Sequence, residues 1–289
     1  MIDLNFRLNR LTGSIELARW RSPIRLGLSA VGVAMLALVY SVPGPGFDFY
    51  AYWAVDPTDP YRIADGLGAF HYAPPVIWLA QPFQLLPFEV GYLVWTAIMA
   101  LLLIWATRSW ALAWCAFPPV ATEFYHGNID LLLAAALVAG FRIAPIWVLL
   151  PLTKITTGIN LLWPLIRRDA RALASVAIFG LVVVGASLAL QGVDLWRAWV
   201  DHLLTRMGRP EAGGALIDIS VWLRLPIAIA VVIWASLTAR RWAVPIAVAL
   251  AMPLLWFHSL SVLVAMQPLW QGQAASRTSS DDQLGGWES

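Results

Sequence analysis

Long apolar runs recur along the whole chain, and they limit its fold more than any other feature. Runs such as Leu26–Val42, Glu89–Thr107 and Ala172–Leu190 are continuous and do not alternate with polar residues. Only α-helices and closed β-barrels satisfy every backbone polar group in lipid, and barrel strands alternate apolar and polar side chains. Apolar residues make up 60% of the chain and charged residues 12%, unlike soluble proteins. The sequence therefore predicts an all-α, polytopic membrane protein.

The positions of the arginines predict the orientation of this protein. Five arginines and two acidic residues precede the first apolar run, so the positive-inside rule places the N-terminus in the cytoplasm. Keeping the later arginine clusters on the same side requires about nine transmembrane helices and an external C-terminus. The predicted spans are Leu26–Val42, Glu89–Thr107, Ser109–Phe124, Ile129–Gly140, Ile143–Thr153, Thr156–Ile166, Ala172–Leu190, Ile219–Ala239 and Ala243–Met266.

Two segments are not predicted to cross the membrane as straight helices. Val76–Pro87 is shorter than the roughly 20 residues that a span needs, so we expect an interfacial helix within a first outer loop, residues 43–88. Lys154 interrupts Phe141–Ile166, and two short helices with Lys154 near the outer face keep the next arginines inside. Residues 1–266 then form one membrane domain, and residues 267–289 form a polar tail without apolar periodicity, predicted to be disordered.

The first outer loop contains the only long polar segment in the first two-thirds of the chain. This segment, Gly46–Pro75, holds four aspartates and five Tyr or Trp residues. Asp48 lies between two phenylalanines, which favours partial burial, a raised pKa and a role as general base. A solvated loop aspartate is the alternative, and it is the interpretation we prefer for the turn residues Asp56 and Asp59.

Other polar residues converge on the same face in the predicted topology. Lys154 is the only lysine of the chain, and it suits either a phosphate ligand or a side chain that snorkels from a helix end. Asn128 can also serve as a helix N-cap, and His258 is interpreted as a hydrogen-bonded core histidine. No spacing of His, Cys or Glu is typical of a zinc site, so no metal site is predicted. The remaining converging residues are His71, Tyr72, Glu123, His126 and Asp130.

The order of these motifs resembles the membrane glycosyltransferases of the GT-C fold, and glycosyltransferase family 87 in particular. The resemblance covers roughly Gly46–Arg224. It departs from the family pattern where Asn128 and Asp130 replace Gln and Asn, and where no proline follows Lys154. The elements that carry it are Asp48-Phe49-Tyr50-Ala51-Tyr52, Pro60-Tyr61, Phe70–Pro75, Gly127–Asp130, Lys154 with Arg167-Arg168, and Ile219–Arg224.

The resemblance implies a function and a set of site residues. It implies inverting transfer of a hexose, mannose in this family, from a polyprenyl-phosphate donor to a lipid or glycan acceptor at the extracytoplasmic face of the plasma membrane. Asp48 would be the catalytic base, and no cofactor and no nucleic acid would take part. Substrate-binding residues would be Lys154, His71, Tyr72, Tyr52, His126, Asn128 and Asp130.

Three other functions stay open at the level of sequence. A catalytically inactive relative would bind lipid-linked sugar without transferring it. A transporter or flippase would distribute its charges along a path through the bilayer, whereas the charges here gather at one face. A structural membrane subunit is the third. A cleft lined by Asp48 and Lys154 would favour transfer, and a central pore would favour transport.

Overall fold

The computed structural model describes residues 22–206 and 219–273, and within these ranges the chain is helical with no β-strand. The arginine-rich segment 1–21, predicted to be cytoplasmic, lies outside the described residues. The α-helices are α1 Ser22–Tyr40, α2 Phe47–Trp53, α3 Ile77–Gln84, α4 Phe88–Thr107, α5 Ala111–Trp114, α6 Pro118–His126, α7 Asp130–Gly140, α8 Leu149–Thr153, α9 Leu162–Ile166, α10 Ala170–Gln191, α11 Val193–Arg206, α12 Val221–Leu237 and α13 Val244–Ala251.

Short 3-10 helices connect several of these elements. They are Pro74–Val76, Arg108–Trp110, Ala144–Val148, Ile155–Leu161, Arg241–Ala243 and His258–Ala265. Residues 266–273 are also helical, so the first part of the predicted polar tail continues the helical domain, and the rest of that tail lies outside the described residues.

Within residues 22–206 and 219–273, three helical segments are long and apolar enough to cross a membrane: Ser22–Tyr40, Phe88–Trp114 and Ala170–Gln191. Five further apolar helices have 10 to 17 residues, fewer than the roughly 20 that cross a bilayer unaided. The prediction of an all-helical protein with membrane spans is confirmed. The count of nine spans is not confirmed. In Phe88–Trp114 the backbone turns at Arg108, where φ is +54°, which matches the predicted boundary between two spans.

The helix break at Lys154 is confirmed. Helix α8 ends at Thr153, Lys154 has an extended backbone, and a 3-10 helix begins at Ile155. A break frees backbone carbonyls that need donors in an apolar surrounding. The carbonyl of Leu150 keeps its helical bond from the N–H of Lys154, and it also accepts from the hydroxyls of Thr153 and Thr157 at 2.8 Å each, which bond the two sides of the break together.

The predicted straight span Ala243–Met266 is wrong. Helix α13 ends at Ala251, residues 252–257 are not helical, and a 3-10 helix starts at His258. Pro253 has no backbone N–H and cannot continue the helical bonding. The carbonyl of Ala251 accepts instead from Thr156, and the carbonyls of Leu250 and Pro253 accept from Arg224. The break brings His258 to the polar site described below.

The first loop is a packed structure held by aromatic side chains. Phe49 of α2 is fully buried, and its ring lies 5.7–6.2 Å from four others, those of Phe83, Phe88, Tyr92 and Trp95. Helix α3 lies in the segment predicted to be interfacial, and its 8 residues extend only about 12 Å. Helix α11 lies between the predicted spans Ala172–Leu190 and Ile219–Ala239.

Gly127 lets α2 approach the connection between α6 and α7. Its φ is +69°, a conformation that side-chain-bearing residues rarely adopt. A Cβ atom at this position would lie 2.7 Å from Cβ of Phe49. Because Asp48 and Asn128 are the neighbours of these two residues, the close approach brings their side chains together.

We expect Gly127→Ala to lower the free energy of unfolding by at least about 1–2 kcal/mol, the cost of the left-handed conformation alone, with the clash against Phe49 adding to it. Thermal melting of the purified protein in detergent measures the change. Gly185→Ala in α10 is the matched control, since a Cβ there meets nothing within 4 Å and alanine favours a helix. Equal melting temperatures for both variants would contradict the packing argument.

Candidate active site

Asp48 lies in the first turn of α2, at the centre of a polar cluster. Its Oδ2 accepts a hydrogen bond from Nδ2 of Asn128 at 2.9 Å and lies 3.5 Å from Nε2 of His258. The side chain remains 23% exposed. The carboxylate is therefore fixed in direction and still accessible to a ligand.

Asn128 connects the elements that meet at this cluster. Its Nδ2 also lies 2.6 Å from Nε2 of His258, and its Oδ1 accepts from the backbone N–H of Ile129. Helix α7 begins at Asp130, and its N-cap position is Ile129, which makes no side-chain cap bond. The amide of Asn128 thus bridges Asp48 and His258, and it is not the N-cap that its position in the sequence suggested.

The surroundings of Asp48 make its carboxylate more basic. Burial raises the pKa of Asp48 to about 6, while the hydrogen bond from Asn128 and the positive charge of Lys154 oppose the rise. A carboxylate with this pKa is still ionised at neutral pH and accepts a proton more readily than a solvated aspartate does.

A buried ion pair lies beside this carboxylate. Lys154 donates from Nζ to Oδ1 of Asp130, whose side chain is completely buried, while that of Lys154 is 14% exposed. Glu123 is also completely buried, and its Oε1 accepts from the backbone N–H of Leu131 at 3.1 Å. Asp130 therefore contacts Lys154 and orients it, and only the lysine of this pair reaches the surface.

The buried acids Glu123 and Asp130 are also potential ligands of a metal ion. Among the described residues, Glu123, Asp130 and His258 place one potential ligand atom each within 4.8 Å of the others. Hard divalent cations accept such carboxylate oxygens, but Lys154 already supplies a positive charge to Asp130. Asp130 thus has a cation partner, while one carboxylate oxygen each of Glu123 and Asp130 is buried without a hydrogen-bond partner among the described residues, and the absence of a metal site stays a prediction.

The aromatic residues predicted to bind substrate fall into two groups. Tyr52, one turn after Asp48 in α2, is buried, and its hydroxyl lies 2.9 Å from that of Tyr72. The ring of His126 lies 5.2 Å from that of His258, and therefore next to the polar cluster. His71 instead pairs with His202 of α11: the ring nitrogens are 2.8 Å apart and the rings are stacked.

His258 is the site residue that the sequence did not reveal. It was interpreted as a core histidine, and it is indeed buried, but its ring faces Asp48 and Asn128. Nothing near it in the sequence marks it, because it follows the helix break at residues 252–257 and meets partners more than 120 residues earlier in the chain. The unexpected Pro253 in a predicted span was the one available signal.

An apolar groove lies near the ion pair. It has a volume of about 390 Å³ and is lined among others by Thr156, Ile159, Leu162, Leu165, Leu225 and Ile229. No charged side chain lines it, and two of the lining residues, Leu165 and Ile229, are exposed. The groove begins two residues after Lys154, so an extended apolar molecule can lie there with its polar end near the lysine.

The fold and the site define a helical membrane protein with an accessible carboxylate, a buried lysine and an adjoining apolar groove. The sequence matches glycosyltransferase family 87 over residues 70–276, more than half of the chain, and the protein therefore belongs to that family. Family membership identifies it as a glycosyltransferase, which uses a sugar donor and an acceptor. No curated protein and no solved structure is significantly similar to the chain. Asp48 precedes the matched region, so its importance rests on the contacts described above.

We expect Lys154→Met to lower the free energy of unfolding by about 3–5 kcal/mol, because it leaves the carboxylate of Asp130 buried without a partner. Adding Asp130→Leu should recover a large part of this loss. Denaturant unfolding in detergent measures both variants. Arg197→Met is the control, since it breaks an exposed ion pair with Asp194 and should leave stability unchanged. A double variant as unstable as the single one would contradict the pairing.

Proposed function

We propose that this protein is an inverting membrane glycosyltransferase. It would move the hexose mannose from a polyprenyl-phosphate donor to a lipid or glycan acceptor. The observation that carries the proposal is the geometry of Asp48. It is an accessible carboxylate that Asn128 holds in place, next to His258 and a buried lysine. Membership of glycosyltransferase family 87 supplies the reaction class.

The chemistry needs one base and one site for a negative leaving group. The carboxylate of Asp48 takes the proton of an acceptor hydroxyl as the hydroxyl oxygen attacks the anomeric carbon. The bond between that carbon and the phosphate oxygen breaks, and the polyprenyl phosphate leaves with the electron pair. Attack from the opposite side inverts the anomeric centre. The raised pKa of Asp48 suits proton acceptance near neutral pH.

A phosphate leaving group needs charge compensation more than it needs a proton. Lys154 is the nearest candidate, because its ammonium group reaches the surface while Asp130 holds its other side. A lysine offers three donors, one of which Asp130 engages, so the others are available to phosphate oxygens. Asp130 therefore affects the phosphate only indirectly, because it orients Lys154 through their ion pair.

The apolar groove supports a lipid-linked donor over a soluble sugar nucleotide. A sugar nucleotide carries a polar base and ribose, and both would be desolvated without partners in a groove lined by leucine and isoleucine. A polyprenyl chain buries only hydrocarbon there. The lining of the groove starts at Thr156, two residues after the break at Lys154, so the chain itself leads from the polar site to the groove.

The GT-C-like arrangement and the extracytoplasmic side are part of the proposal. Arginines dominate the connections expected in the cytoplasm, while Asp48, His126 and Asn128 lie on connections assigned to the opposite side. The proposed location is the plasma membrane, with membrane lipids as surroundings and no nucleic acid as partner.

We expect Asp48→Asn to lower the rate of mannose transfer from polyprenyl-phosphate mannose by about 10²–10⁴-fold, the usual contribution of a general base. Asparagine keeps the size and a hydrogen-bonding oxygen, so folding should be preserved. Asp59→Asn is the matched control in the same loop, since Asp59 is exposed and should not affect the rate. Transfer by Asp48→Asn at the wild-type rate would contradict the proposal.

The pH dependence offers a second test. Asp48 must be ionised to accept a proton, so kcat/KM should fall about tenfold per pH unit below the pKa of about 6. If the base were a solvated aspartate, kcat/KM would not change with pH until about pH 4. The charged and titratable groups around Asp48 are His258, Lys154, Asp130 and Glu123. A rate that stays constant to pH 4.5 would contradict the role of this buried carboxylate.

A further inference from the structure

Arg224 is the only buried arginine among the described residues, and it has no acidic partner there. Its side chain in α12 is 5% exposed. Its three nitrogens donate to backbone carbonyls only: Nε to Ile219 at 2.8 Å, Nη1 to Leu250 at 2.6 Å and Nη2 to Pro253 at 3.2 Å. Buried charges are ordinarily paired with an opposite charge. Among the described residues, the guanidinium therefore lacks an anion that would balance it.

The three hydrogen bonds leave part of the guanidinium free. The group has five N–H donors in a planar fork, and the carbonyls engage three of them. One N–H remains on each of Nη1 and Nη2. Two adjacent N–H groups on such a fork match two oxygens of one phosphate. The backbone carbonyls hold the fork in a fixed orientation before any ligand binds.

Arg224 lies next to residues that line the apolar groove, although its own side chain is not part of the lining. Its neighbour Leu225 lines the groove, and so does Ile229 one turn further along α12. On the opposite wall, Thr156 lines the groove and donates to the carbonyl of Ala251, next to the Leu250 carbonyl that Arg224 contacts. Arg224 and Thr156 therefore meet at the same short segment.

The other end of the groove is marked by a second arginine. Arg167, just after α9, donates from Nη1 to the carbonyl of Ser236 in α12 at 3.0 Å. The two walls, residues 156–167 and 224–236, thus run side by side in the same direction. Twelve residues of α12 extend about 18 Å between the two arginines. The end near Arg224 is the one where Thr156, two residues after Lys154 in the chain, lines the groove.

We propose that Arg224 binds the phosphate of an isoprenoid phosphate whose hydrocarbon chain lies in the groove. This inference rests on the proposed function for its choice of ligand, and it adds an anion-binding residue to that site. Lys154 and Arg224 have separate tasks. Lys154 compensates the charge that develops on the leaving oxygen, and Arg224 binds the phosphate oxygens before and after transfer.

The test measures binding of farnesyl phosphate to the full-length protein in detergent, by the shift in melting temperature over a range of ligand concentrations. Farnesol, which lacks the phosphate, and inorganic phosphate, which lacks the chain, are measured in parallel. We expect farnesyl phosphate to bind at least tenfold more tightly than either. Farnesol binding as tightly as farnesyl phosphate would overturn the proposal, because the phosphate would then contribute nothing.

Substitutions assign the binding to Arg224. Arg224→Gln should raise the dissociation constant of farnesyl phosphate at least tenfold and leave that of farnesol unchanged. Arg167→Gln is the matched control, since it also removes an arginine bonded to a carbonyl of α12, and it should change the constant less than twofold. If Arg224→Gln binds farnesyl phosphate as the wild type does, the proposal is wrong.

Two further variants keep the test decisive if Arg224→Gln does not fold. Arg224→Lys retains the charge but not the fork, and it should weaken farnesyl phosphate binding at least threefold. Ile229→Trp fills the groove and should weaken binding of both farnesyl ligands. Wild-type binding by both variants overturns the proposal. These measurements do not depend on turnover. If the wild-type protein binds farnesyl phosphate but does not transfer mannose, the proposed function is wrong and the role of Arg224 still stands.

Discussion

The ion pair between Lys154 and Asp130 is the interaction on which the site depends. Burying the carboxylate of Asp130 among apolar helices is costly, and Lys154, the only lysine of the chain, offsets this cost by lying against it. The lysine reaches Asp130 because the backbone is extended at residue 154, between two short helices. The broken helix and the buried pair therefore require each other, and together they leave the ammonium group at the edge of the groove.

Helix breaks are the means by which this fold brings polar groups together. The break at Lys154 is stabilised by threonine hydroxyls, and the break at residues 252–257 by Arg224 and Thr156. At residues 250–253 the break frees carbonyls that need donors, and the side chains of Arg224 and Thr156 supply them, whereas at Lys154 the threonine hydroxyls add to a helical bond that the carbonyl of Leu150 already accepts. A straight helix would satisfy its own backbone, but it would present no polar group to a ligand. The same residues thus complete the backbone bonding and border the site.

Much of the architecture could be predicted from local sequence, and the site could be predicted in part. The apolar runs gave the helical class, and the lysine within an apolar run gave the break at residue 154. Asp48 and Asn128 were both selected, but their mutual hydrogen bond was not foreseen. It depends on the close approach of Phe49 to Gly127, which no local pattern encodes. The prediction of one helical span over Ala243–Met266 was wrong. Hydropathy measures only how apolar the side chains are, and it does not show which donors bond the backbone carbonyls next to Pro253.

The sequence by itself determined that the chain is an all-helical membrane protein and that it resembles glycosyltransferase family 87. It also identified the polar residues whose position near lipid costs free energy and therefore calls for a structural or functional role. These conclusions depend on composition and on order along the chain, which the sequence states directly. Only the tertiary structure decided that His258 faces Asp48, that Asp130 contacts Lys154, that His71 pairs with His202, and that Arg224 has carbonyl partners but no acidic partner in the part of the chain that the structure describes. Those facts are distances between residues far apart in the chain, and they follow from packing and from where each buried charge finds its partner.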